Sequence, residues 1–493
     1  MPGLLGSHRR RRTHPRLQHG SGTGNETSNH DGAEIVSDAT RPLIVGAGPA
    51  GIRAAQILVS SGIRPAVIDE APSGGGQIYR QRLVADERSA KDLYGSEAAK
   101  ATALHGTFAG IRDRIDYYPE TLVWNLRDKA ADAVTGHRTR RIPFSHLILA
   151  TGATDRVLPF PGWTLPGVFT LGGSQIALKS QGCAIGEEVV FLGSGPLLYL
   201  VAWQYVKAGA NVAAVLDTSQ FSAKLHLLRG LFAQPSVVLR GFRYAAELMA
   251  RGVAVRFGVQ PVRIDGATRV EGVVWRERDV EHRLACDAIG YGFSLRSETQ
   301  LADLAGCRFV FDARDRAWRP ERDGAGRTTM PGVYIAGDGA GIAGADAAEL
   351  AGERAGLALL EDVGLSVDHV RIGVLERKLA SISKFRDVLE AAFPFPQAWA
   401  NGISDDVTLC RCEEIAIGAV RDAVRDQGVF ELNRLKALTR VGMGRCQGRM
   451  CGNAAVEVLA AACGQSPDAV GRLRAQPPIK PIPLGVMAEE ETA

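Results

Sequence analysis

Short apolar runs that end in glycine or acid alternate with helix-forming stretches along most of the chain. The first run occupies residues 42–45 and the helix-forming stretch 52–59 follows it. Similar runs lie at 65–68, 146–150, 188–192, 211–216 and 333–336. Strands that alternate with helices in this way form a mostly parallel sheet with helices packed against it. The pattern predicts an α/β protein.

The turn after the first strand has the spacing G-x-G-x-x-G, at Gly46, Gly48 and Gly51. In this motif the glycines make a tight turn, let the backbone approach a pyrophosphate, and let helix and strand pack closely. The helix N-terminus adds free N–H groups for the phosphates. The next strand ends at Asp69, where a carboxylate can bind a ribose diol. The residues predicted to hold this dinucleotide are Gly46, Gly48, Pro49, Ala50, Gly51, Asp69 and Glu70.

Three later segments indicate that the dinucleotide is FAD, because they resemble parts of two-dinucleotide flavoproteins. Residues 73–80 resemble the loop that runs along the flavin, and 146–152 the strand that crosses between domains. Residues 333–338 look like the second FAD fingerprint, and the helix expected from about residue 347 would stabilise the negative charge of the reduced flavin. The residues predicted here are Gly76, Gln77, Thr151, Gly152, Gly337 and Asp338.

A second nucleotide motif begins after the strand at 188–192. Gly193 and Gly195 follow that strand, and Asp217 closes the next one. In related flavoproteins this half binds NAD(P)H, and these three residues are the candidates for that role. Leu198 replaces the third glycine, and its bulk would push the helix away from the strand. We therefore favour a retained structural domain or a different nucleotide over NAD(P) here.

Four cysteines near the C-terminus have the spacing C-x-C-x33-C-x4-C, at Cys410, Cys412, Cys446 and Cys451. Two close pairs of thiolates suit a [2Fe-2S] cluster. Glycines at 442, 444, 448 and 452 would let backbone N–H groups approach the sulfurs. The alternatives are a four-cysteine zinc site, which usually has C-x2–4-C pairs, and no metal. The spacing favours the cluster.

Residues 74–80, 150–156 and 161–168 and the cysteine block together resemble one family, the large FAD subunits of multi-subunit amine dehydrogenases. The family includes the A-subunits of opine oxidases, the B-subunits of hydrogen cyanide synthases and the α subunits of D-hydroxyproline and dye-linked proline dehydrogenases. Sarcosine oxidase α is a more distant relative. Asp155 stands where the family commonly has Glu. The cysteine block is similar to the bacterioferritin-associated-ferredoxin (BFD) type of cluster domain.

The resemblance implies a fold and a chemistry. The fold is a two-dinucleotide-binding, glutathione-reductase-like α/β flavoprotein with a small helical C-terminal [2Fe-2S] domain. The chemistry is oxidation of a C–N bond in an amine or opine, with the FAD and cluster of this chain relaying electrons to an acceptor. The implied partners are a flavoprotein chain resembling D-amino-acid oxidases and a small ferredoxin-like chain. No group of side chains with the spacing of a substrate site stands out, so the catalytic residues stay unassigned.

Two other functions remain open from the residues. A standalone NAD(P)H-dependent reductase that passes electrons to its cluster would need an intact second nucleotide site, and Leu198 counts against that. A non-enzymatic scaffold would leave the complete FAD fingerprint without a purpose. A disulfide reductase needs a cysteine pair beside the flavin, and the sequence holds no C-x2-C or C-x4-C pair before residue 410.

Charge and composition limit the partners further. The net charge of +4 comes from five arginines in residues 1–20, and the rest of the chain has 53 basic against 54 acidic residues. This balance gives no electrostatic reason to expect nucleic acid as a partner. The long uncharged run 189–206 contains Gly-Ser-Gly-Pro and is better explained as a buried strand and helix than as a membrane span. We expect a cytoplasmic protein with no transmembrane segment, and peripheral membrane association stays open.

The predicted domain organisation follows from these motifs. A disordered tail is expected at 1–40, and an FAD domain at 41–155 and 285–370. The second nucleotide domain is inserted at 156–284. A linker at 371–404 leads to the cluster domain at 405–470 and a proline-rich tail at 471–493.

Overall fold

The computed structural model describes residues 41–83, 88–483 and 485. The predicted N-terminal tail, 1–40, lies outside the described residues, and so does most of the segment after 483. Among the described residues, no helix has both the length and the apolar character needed to cross a membrane.

The first sheet has five parallel strands, and the strand of the first glycine motif lies at its centre. Its register aligns Val45 with Ile68 on one side and with Leu149 on the other. All three residues of the central strand are buried, because both faces of the sheet are covered, as is usual for parallel sheets. In spatial order the strands are Val333–Ile335, Leu147–Leu149, Leu43–Val45, Ala66–Ile68 and Asp116–Tyr118.

Alternate residues of that central strand enter two different cores. Ile44 packs with the helices Pro49–Ser60 and Ala345–Asp362 on one face. Leu43 and Val45 point to the other face, which a three-stranded antiparallel meander covers. The strands of the meander are Thr121–Arg127, Ala130–Thr135 and Arg138–Pro143. The period of two along the strand thus places one layer of helices and one layer of sheet on opposite sides.

The second sheet repeats this design with five further parallel strands. Helices Pro196–Lys207 and Pro235–Ala250 cover one face, where Phe191 and Val215 pack. A second meander, formed by Gln260–Asp265, Gly272–Glu277 and Val280–Ala285, covers the other. In spatial order the strands are Ala254–Phe257, Asn211–Asp217, Glu188–Ser194, Ala288–Phe293 and Val168–Thr170.

One boundary differs from the sequence prediction. The strand Ala288–Phe293 pairs in parallel with Glu188–Ser194, so it belongs to the second sheet. The second unit therefore continues about ten residues past the predicted end at 284. The return to the first unit is made by Leu295–Ser297, which pairs with Ala153–Asp155 as a two-stranded antiparallel ribbon. The sequence prediction ends the unit at 284 because the strand Ala288–Phe293 pairs with residues about 100 positions earlier, and no local pattern shows that contact.

The C-terminal unit is built from a short hairpin and three helices. The hairpin pairs Thr408–Cys410 with Ile415–Ala416, and the helices are Ile417–Gln427, Leu432–Thr439 and Gly452–Cys463. Its apolar residues form one continuous core with residues 157–163 and the second meander. Trp163 Nε1 donates a 2.6 Å hydrogen bond to the carbonyl of Thr408, and Trp399 Nε1 donates one of 2.9 Å to that of Pro159. The unit is therefore packed into the rest of the chain.

The segment after this unit returns to the first domain. The amide of Ile479 donates to the carbonyl of Trp124 in the first meander at 3.1 Å. The remaining regular elements lie at the edges of the two sheets or between the domains. The helices are Ala90–Tyr94, Ala98–Ile111, Leu171–Ile176, Leu227–Ala233, Gln300–Leu304, His369–Ala392 and Trp399–Gly402, and a further hairpin pairs Phe309–Asp312 with Ala317–Pro320.

Candidate cofactor sites

The segments predicted to hold FAD converge at one end of the first sheet. The amide of Gly75 donates to the carbonyl of Ala47 at 2.8 Å, so the loop 73–80 lies against the first glycine turn. A Cβ on Gly76 would lie 2.9 Å from the Cα of Gly48, and one on Gly337 would lie 2.9 Å from the Cβ of Ala50. Pro49 begins the helix that follows. These contacts leave room only for glycine where the loops meet.

The two acids after the second strand have different surroundings. Asp69 accepts hydrogen bonds from the amides of Ala47 (2.5 Å) and Ala71 (2.7 Å), and burial raises the pKa of its carboxyl. Its carboxylate thus closes the glycine turn. The side chain of Glu70 is 56% exposed and forms an ion pair with Lys480 of the C-terminal segment. The two acids thus differ: backbone amides hold Asp69, whereas Glu70 is exposed and paired with a distant lysine.

Asp338 lies at the start of the helix Ala345–Asp362. Its Oδ1 accepts hydrogen bonds from the amides of Ala343 (2.8 Å) and Gly344 (2.9 Å). Burial raises the pKa of this carboxyl. The fingerprint acid is therefore held beside a helix N-terminus, where anionic groups are stabilised.

Thr151 and Gln77, which are also predicted to bind FAD, form hydrogen bonds with other residues of the chain. Thr151, after the strand Leu147–Leu149, donates from Oγ1 to the carbonyl of Glu298 at 2.6 Å. Gln77 accepts at Oε1 from Arg80 Nε at 2.8 Å. Thr151 thus ties the end of that strand to the segment that returns from the second unit.

In the second sheet, Asp217 is fully buried and already has three partners. Tyr199 donates to its carboxylate at 2.6 Å, Lys224 Nζ lies 2.8 Å away, and the amide of Ser219 donates at 2.8 Å. Phe393 covers the same Lys224 ammonium, which lies 3.4 Å from the ring centroid. These contacts leave the carboxylate of Asp217 with no exposed surface.

Gly193 and Gly195 keep the geometry of a nucleotide turn although Asp217 is covered. Both have positive φ, and a Cβ on Gly193 would lie 1.9 Å from the carbonyl oxygen of Gly292. Leu198 is fully buried in the core between this helix and its sheet. The residue at the third position of the motif, Leu198, thus packs between the helix and the sheet.

The four cysteines of the C-terminal block come together from the hairpin and from the loop before the last helix. Their thiols form a line of contacts in which Cys451 touches Cys410 and Cys446, and Cys446 touches Cys412. No group of three or more His, Cys, Asp or Glu side chains in the described ranges is arranged to hold a metal ion by itself. A two-iron cluster is larger than a single ion and is held by four thiolates.

Two of these thiols are favoured as thiolates, the form that binds iron. Contact with Cys451 lowers the pKa of Cys410, and so does an N–H group of Gly442. Burial opposes these two effects, and the resulting pKa is about 6. Contact with Cys451 also lowers the pKa of Cys446, together with N–H groups of the loop. Burial again opposes these effects, and the resulting pKa is about 5. The pKa of Cys451 is raised by its contacts with both thiols, and burial raises that of Cys412.

The glycines of the cluster loop surround a residue that the sequence analysis did not single out, Leu473. A Cβ on Gly442, Gly448 or Gly452 would lie 2.8, 2.6 or 3.3 Å from Leu473 Cδ1. Gly444 instead faces Cys412, whose Cβ would be 2.3 Å away. Three of the four glycines thus pack against one side chain that comes from outside the loop. No local signal in the sequence marks Leu473.

A second residue that the sequence analysis missed is Lys179. It is 2% exposed, and its Nζ donates to the carbonyl of Ile78 in the predicted flavin loop at 3.1 Å. Burial lowers its pKa to about 8. It lies in a π-helical turn, 177–181, a feature frequent at functional sites. Its position in an ordinary helix-forming stretch gives no sign of this contact.

The chain matches known proteins over nearly its whole length. A family model described as pyridine nucleotide-disulphide oxidoreductase matches residues 40–355, and one described as BFD-like [2Fe-2S] binding domain matches residues 408–461. The A-subunit of opine oxidase from Rhizobium meliloti is 37% identical over 91% of this chain and 87% of its own length. Hydrogen cyanide synthase subunit HcnB of Pseudomonas protegens is 34% identical over 90% of this chain and 96% of its own.

Solved structures show the same fold. The L-proline dehydrogenase of P. horikoshii superposes with a TM-score of 0.67, covering 91% of this chain and 79% of its own, at 22% sequence identity. The chain belongs to the pyridine nucleotide-disulphide oxidoreductase family, within the group of the opine oxidase A-subunits and hydrogen cyanide synthase subunit HcnB, and it is an oxidoreductase whose cofactors are FAD and a [2Fe-2S] cluster.

Proposed function

We propose that this chain is the electron-relay subunit of a complex that oxidises the C–N bond of a secondary amine or opine. In that reaction the C–N bond becomes an imine, and water then releases an amine and a 2-oxo acid. FAD would lie against Gly46, Gly48, Gly76 and Asp338, and the cluster would be held by the four cysteines. The observation that supports the proposal is that Tyr199 and Lys224 already bind Asp217, the acid expected to meet the ribose of NAD(P)H. We therefore infer that the electrons come from another subunit of the complex.

The chain would work with other subunits, as its relatives do by name. We propose a flavoprotein chain resembling D-amino-acid oxidases as the place of substrate oxidation, and a small ferredoxin-like chain as a further partner, all in the cytoplasm. The described residues offer an apolar surface for a large partner. It is formed by exposed side chains on three consecutive helical segments: Phe221, Leu225, Leu228, Phe232, Leu239 and Phe242.

Several large apolar side chains are exposed within this short stretch of chain. Phe232 is 95% exposed, and exposed apolar residues recur every three or four positions at 221, 225, 228 and 232. Exposed apolar side chains that gather into a patch usually mark a protein contact. Replacing Phe232 with Ser should weaken co-purification of the flavoprotein partner. Val370→Ser, at an isolated site that is 79% exposed, is the matched control and should leave co-purification unchanged.

The function is tested by co-expressing the chain with the reading frames beside its gene. The purified complex is assayed with a dye acceptor on a panel of opines, D-hydroxyproline, proline, sarcosine and glycine. We expect dye reduction with at least one of these and none with the isolated chain. Rapid dye reduction by the isolated chain with NADH or NADPH would overturn the proposal and favour a standalone reductase.

A further inference from the structure

The run 295–300 consists of the short strand Leu295–Ser297, two linking residues and the first residue of the helix Gln300–Leu304. It lies between the segments predicted to bind FAD and the cluster loop. Arg296 Nε donates to the carbonyl of Arg449 at 3.2 Å, and Gln300 Nε2 donates to that of Gln447 at 2.8 Å. Both acceptors belong to the loop between the ligands Cys446 and Cys451. One side of the run therefore holds the cluster loop.

The other side of the same run holds the segments predicted to bind FAD. Ser297 Oγ donates to the carbonyl of Asp338 at 2.6 Å. The amide of Glu298 donates to the carbonyl of Gly152 at 3.0 Å, and its carbonyl accepts from Thr151 Oγ1 at 2.6 Å. This one short run thus contacts both predicted cofactor sites.

The side chain of Glu298 completes the connection. Its Oε2 lies 2.8 Å from Arg449 Nε, and the two side chains are 11% and 13% exposed. Arg449 also donates to the carbonyl of Ile479 at 2.6 Å, and to that of Cys446 at 3.4 Å. Burying such an ion pair carries a desolvation penalty. Removing one partner leaves the other charge buried and uncompensated, which destabilises the fold. An exposed ion pair would carry little of this cost.

We propose that Glu298 and Arg449 are the positioning pair that fixes the cluster loop against the FAD-binding segments and tunes the cluster's reduction potential. This inference rests on the proposed function, because it assigns the link between the two cofactors of that function. When bound, FAD and the cluster would supply electron transfer: reduced FAD would give up its two electrons one at a time, and the cluster would pass each of them to the external acceptor before taking the next. No bond of the protein is made or broken. The pair acts through the loop that carries the ligands, so neither residue is a catalytic one.

Charge around the pair sets the direction of the expected effect. Burial raises the pKa of Glu298, but Arg449 and Arg296 outweigh it and hold that pKa below its ordinary value. Glu298 is thus an anion between two arginines close to the cluster thiols. Removing its charge leaves both arginines uncompensated. Positive charge beside a cluster favours its reduced state, because reduction adds negative charge.

The test is Glu298→Gln in the full chain, which keeps the shape and removes the charge. The control is Glu457→Gln. Glu457 forms a comparable pair with Arg316, at 2.7 Å and 8% and 22% exposed, between the last helix and the hairpin Phe309–Asp312/Ala317–Pro320. This control pair joins the C-terminal unit to the rest of the chain through the helix that follows the loop, and its bonds are between the two side chains, not to the loop between Cys446 and Cys451.

The readouts are iron and flavin content, the cluster midpoint potential from an EPR-monitored titration, and the rate of cluster reduction after laser-flash reduction of the flavin. We expect Glu298→Gln to keep both cofactors and to raise the midpoint potential. We also expect it to slow cluster reduction about tenfold despite the larger driving force, because the unpaired buried Arg449 shifts the loop that carries Cys446 and Cys451, and small misplacements are costly. Glu457→Gln should change neither the potential nor the rate.

Equal behaviour of Glu298→Gln and wild type in potential and rate would overturn the inference while leaving the proposed function in place. The inference would also be overturned if Glu298→Gln and Glu457→Gln changed the potential and the rate equally. Equal changes would mean that either substitution only loosens the packing between the C-terminal unit and the rest of the chain. Should Glu298→Gln not fold, Arg449→Lys, which keeps the charge but loses the planar fork, tests the positioning alone. It should slow cluster reduction with little change in the midpoint potential, and a wild-type rate in this variant would overturn the inference. A wild-type protein with no cluster reduction by its flavin would count against the proposed function itself.

Discussion

The phenol of Tyr199 donates a 2.6 Å hydrogen bond to Asp217, the acid that ends the second strand of the second nucleotide motif. Lys224 completes the enclosure with a 2.8 Å ion pair, and the carboxylate has no exposed surface. Burial raises the pKa of Tyr199 and lowers that of Lys224. A ribose could reach this acid only by displacing two buried side chains.

NADH should therefore reduce the flavin poorly. Binding would have to break the Tyr199–Asp217 and Lys224–Asp217 contacts, and each broken buried contact weakens binding. Stopped-flow mixing of the oxidised protein with NADH measures the rate of flavin bleaching, with dithionite as the control that bleaching is observable. Bleaching at many turnovers per second would contradict this prediction.

Replacing Cys446 with Ser should remove the cluster while most FAD stays bound. Serine cannot supply the thiolate that the pKa of about 5 indicates at this position, and the predicted FAD segments are built from other parts of the chain. Iron analysis and flavin absorbance give the two contents. Cys463→Ser is the control, because Cys463 contacts the carbonyl of Val429 instead of the other cysteines. If both cofactors are lost from a folded Cys446→Ser protein, the sites form one unit.

Gly448→Ala should lower cluster occupancy for two reasons that can be separated. Its φ is +78°, which costs an L-residue roughly 1–2 kcal/mol, and its new Cβ would lie 2.6 Å from Leu473 Cδ1. Gly464→Ala is the control, since Gly464 has φ +62° and nothing within 4 Å of a Cβ. We expect iron loss in Gly448→Ala and little in Gly464→Ala. Adding Leu473→Ala to Gly448→Ala should restore part of the iron, and no recovery would argue against the packing explanation.

Lys179 should make stability depend on pH in the alkaline range. Its folded pKa of about 8 lies below the unfolded value of roughly 10.4, so the unfolded chain binds more protons between these values. Stability should rise across that window, by on the order of 3 kcal/mol from this group. The measurement is urea unfolding at several pH values, in wild type and Lys179→Met. The extra rise should be absent from the variant, and parallel curves for both proteins would contradict the assignment.

Features that depend on neighbouring residues could be predicted from the sequence alone. An apolar strand, a glycine turn and a helix within about 30 residues predicted each nucleotide-type unit, because the turn needs glycine and the helix needs its start at that point. The C-x-C and C-x4-C pairs predicted a cluster site because each pair is short enough to place two thiolates together. The α/β fold and its two nucleotide-type sheets followed from these local patterns.

Contacts between residues that are far apart in the chain depend on the tertiary structure. Asp69 and Glu70 are adjacent in sequence, yet the glycine turn binds one and Lys480, about 400 residues later, pairs with the other. Asp217 has the position of a ribose acid in the sequence, and only the packed structure covers it with other side chains. Leu473, Lys179 and the Glu298–Arg449 pair act through contacts more than 20 residues away in sequence. Such contacts depend on how the units pack, and packing leaves no periodic or spaced pattern in the sequence.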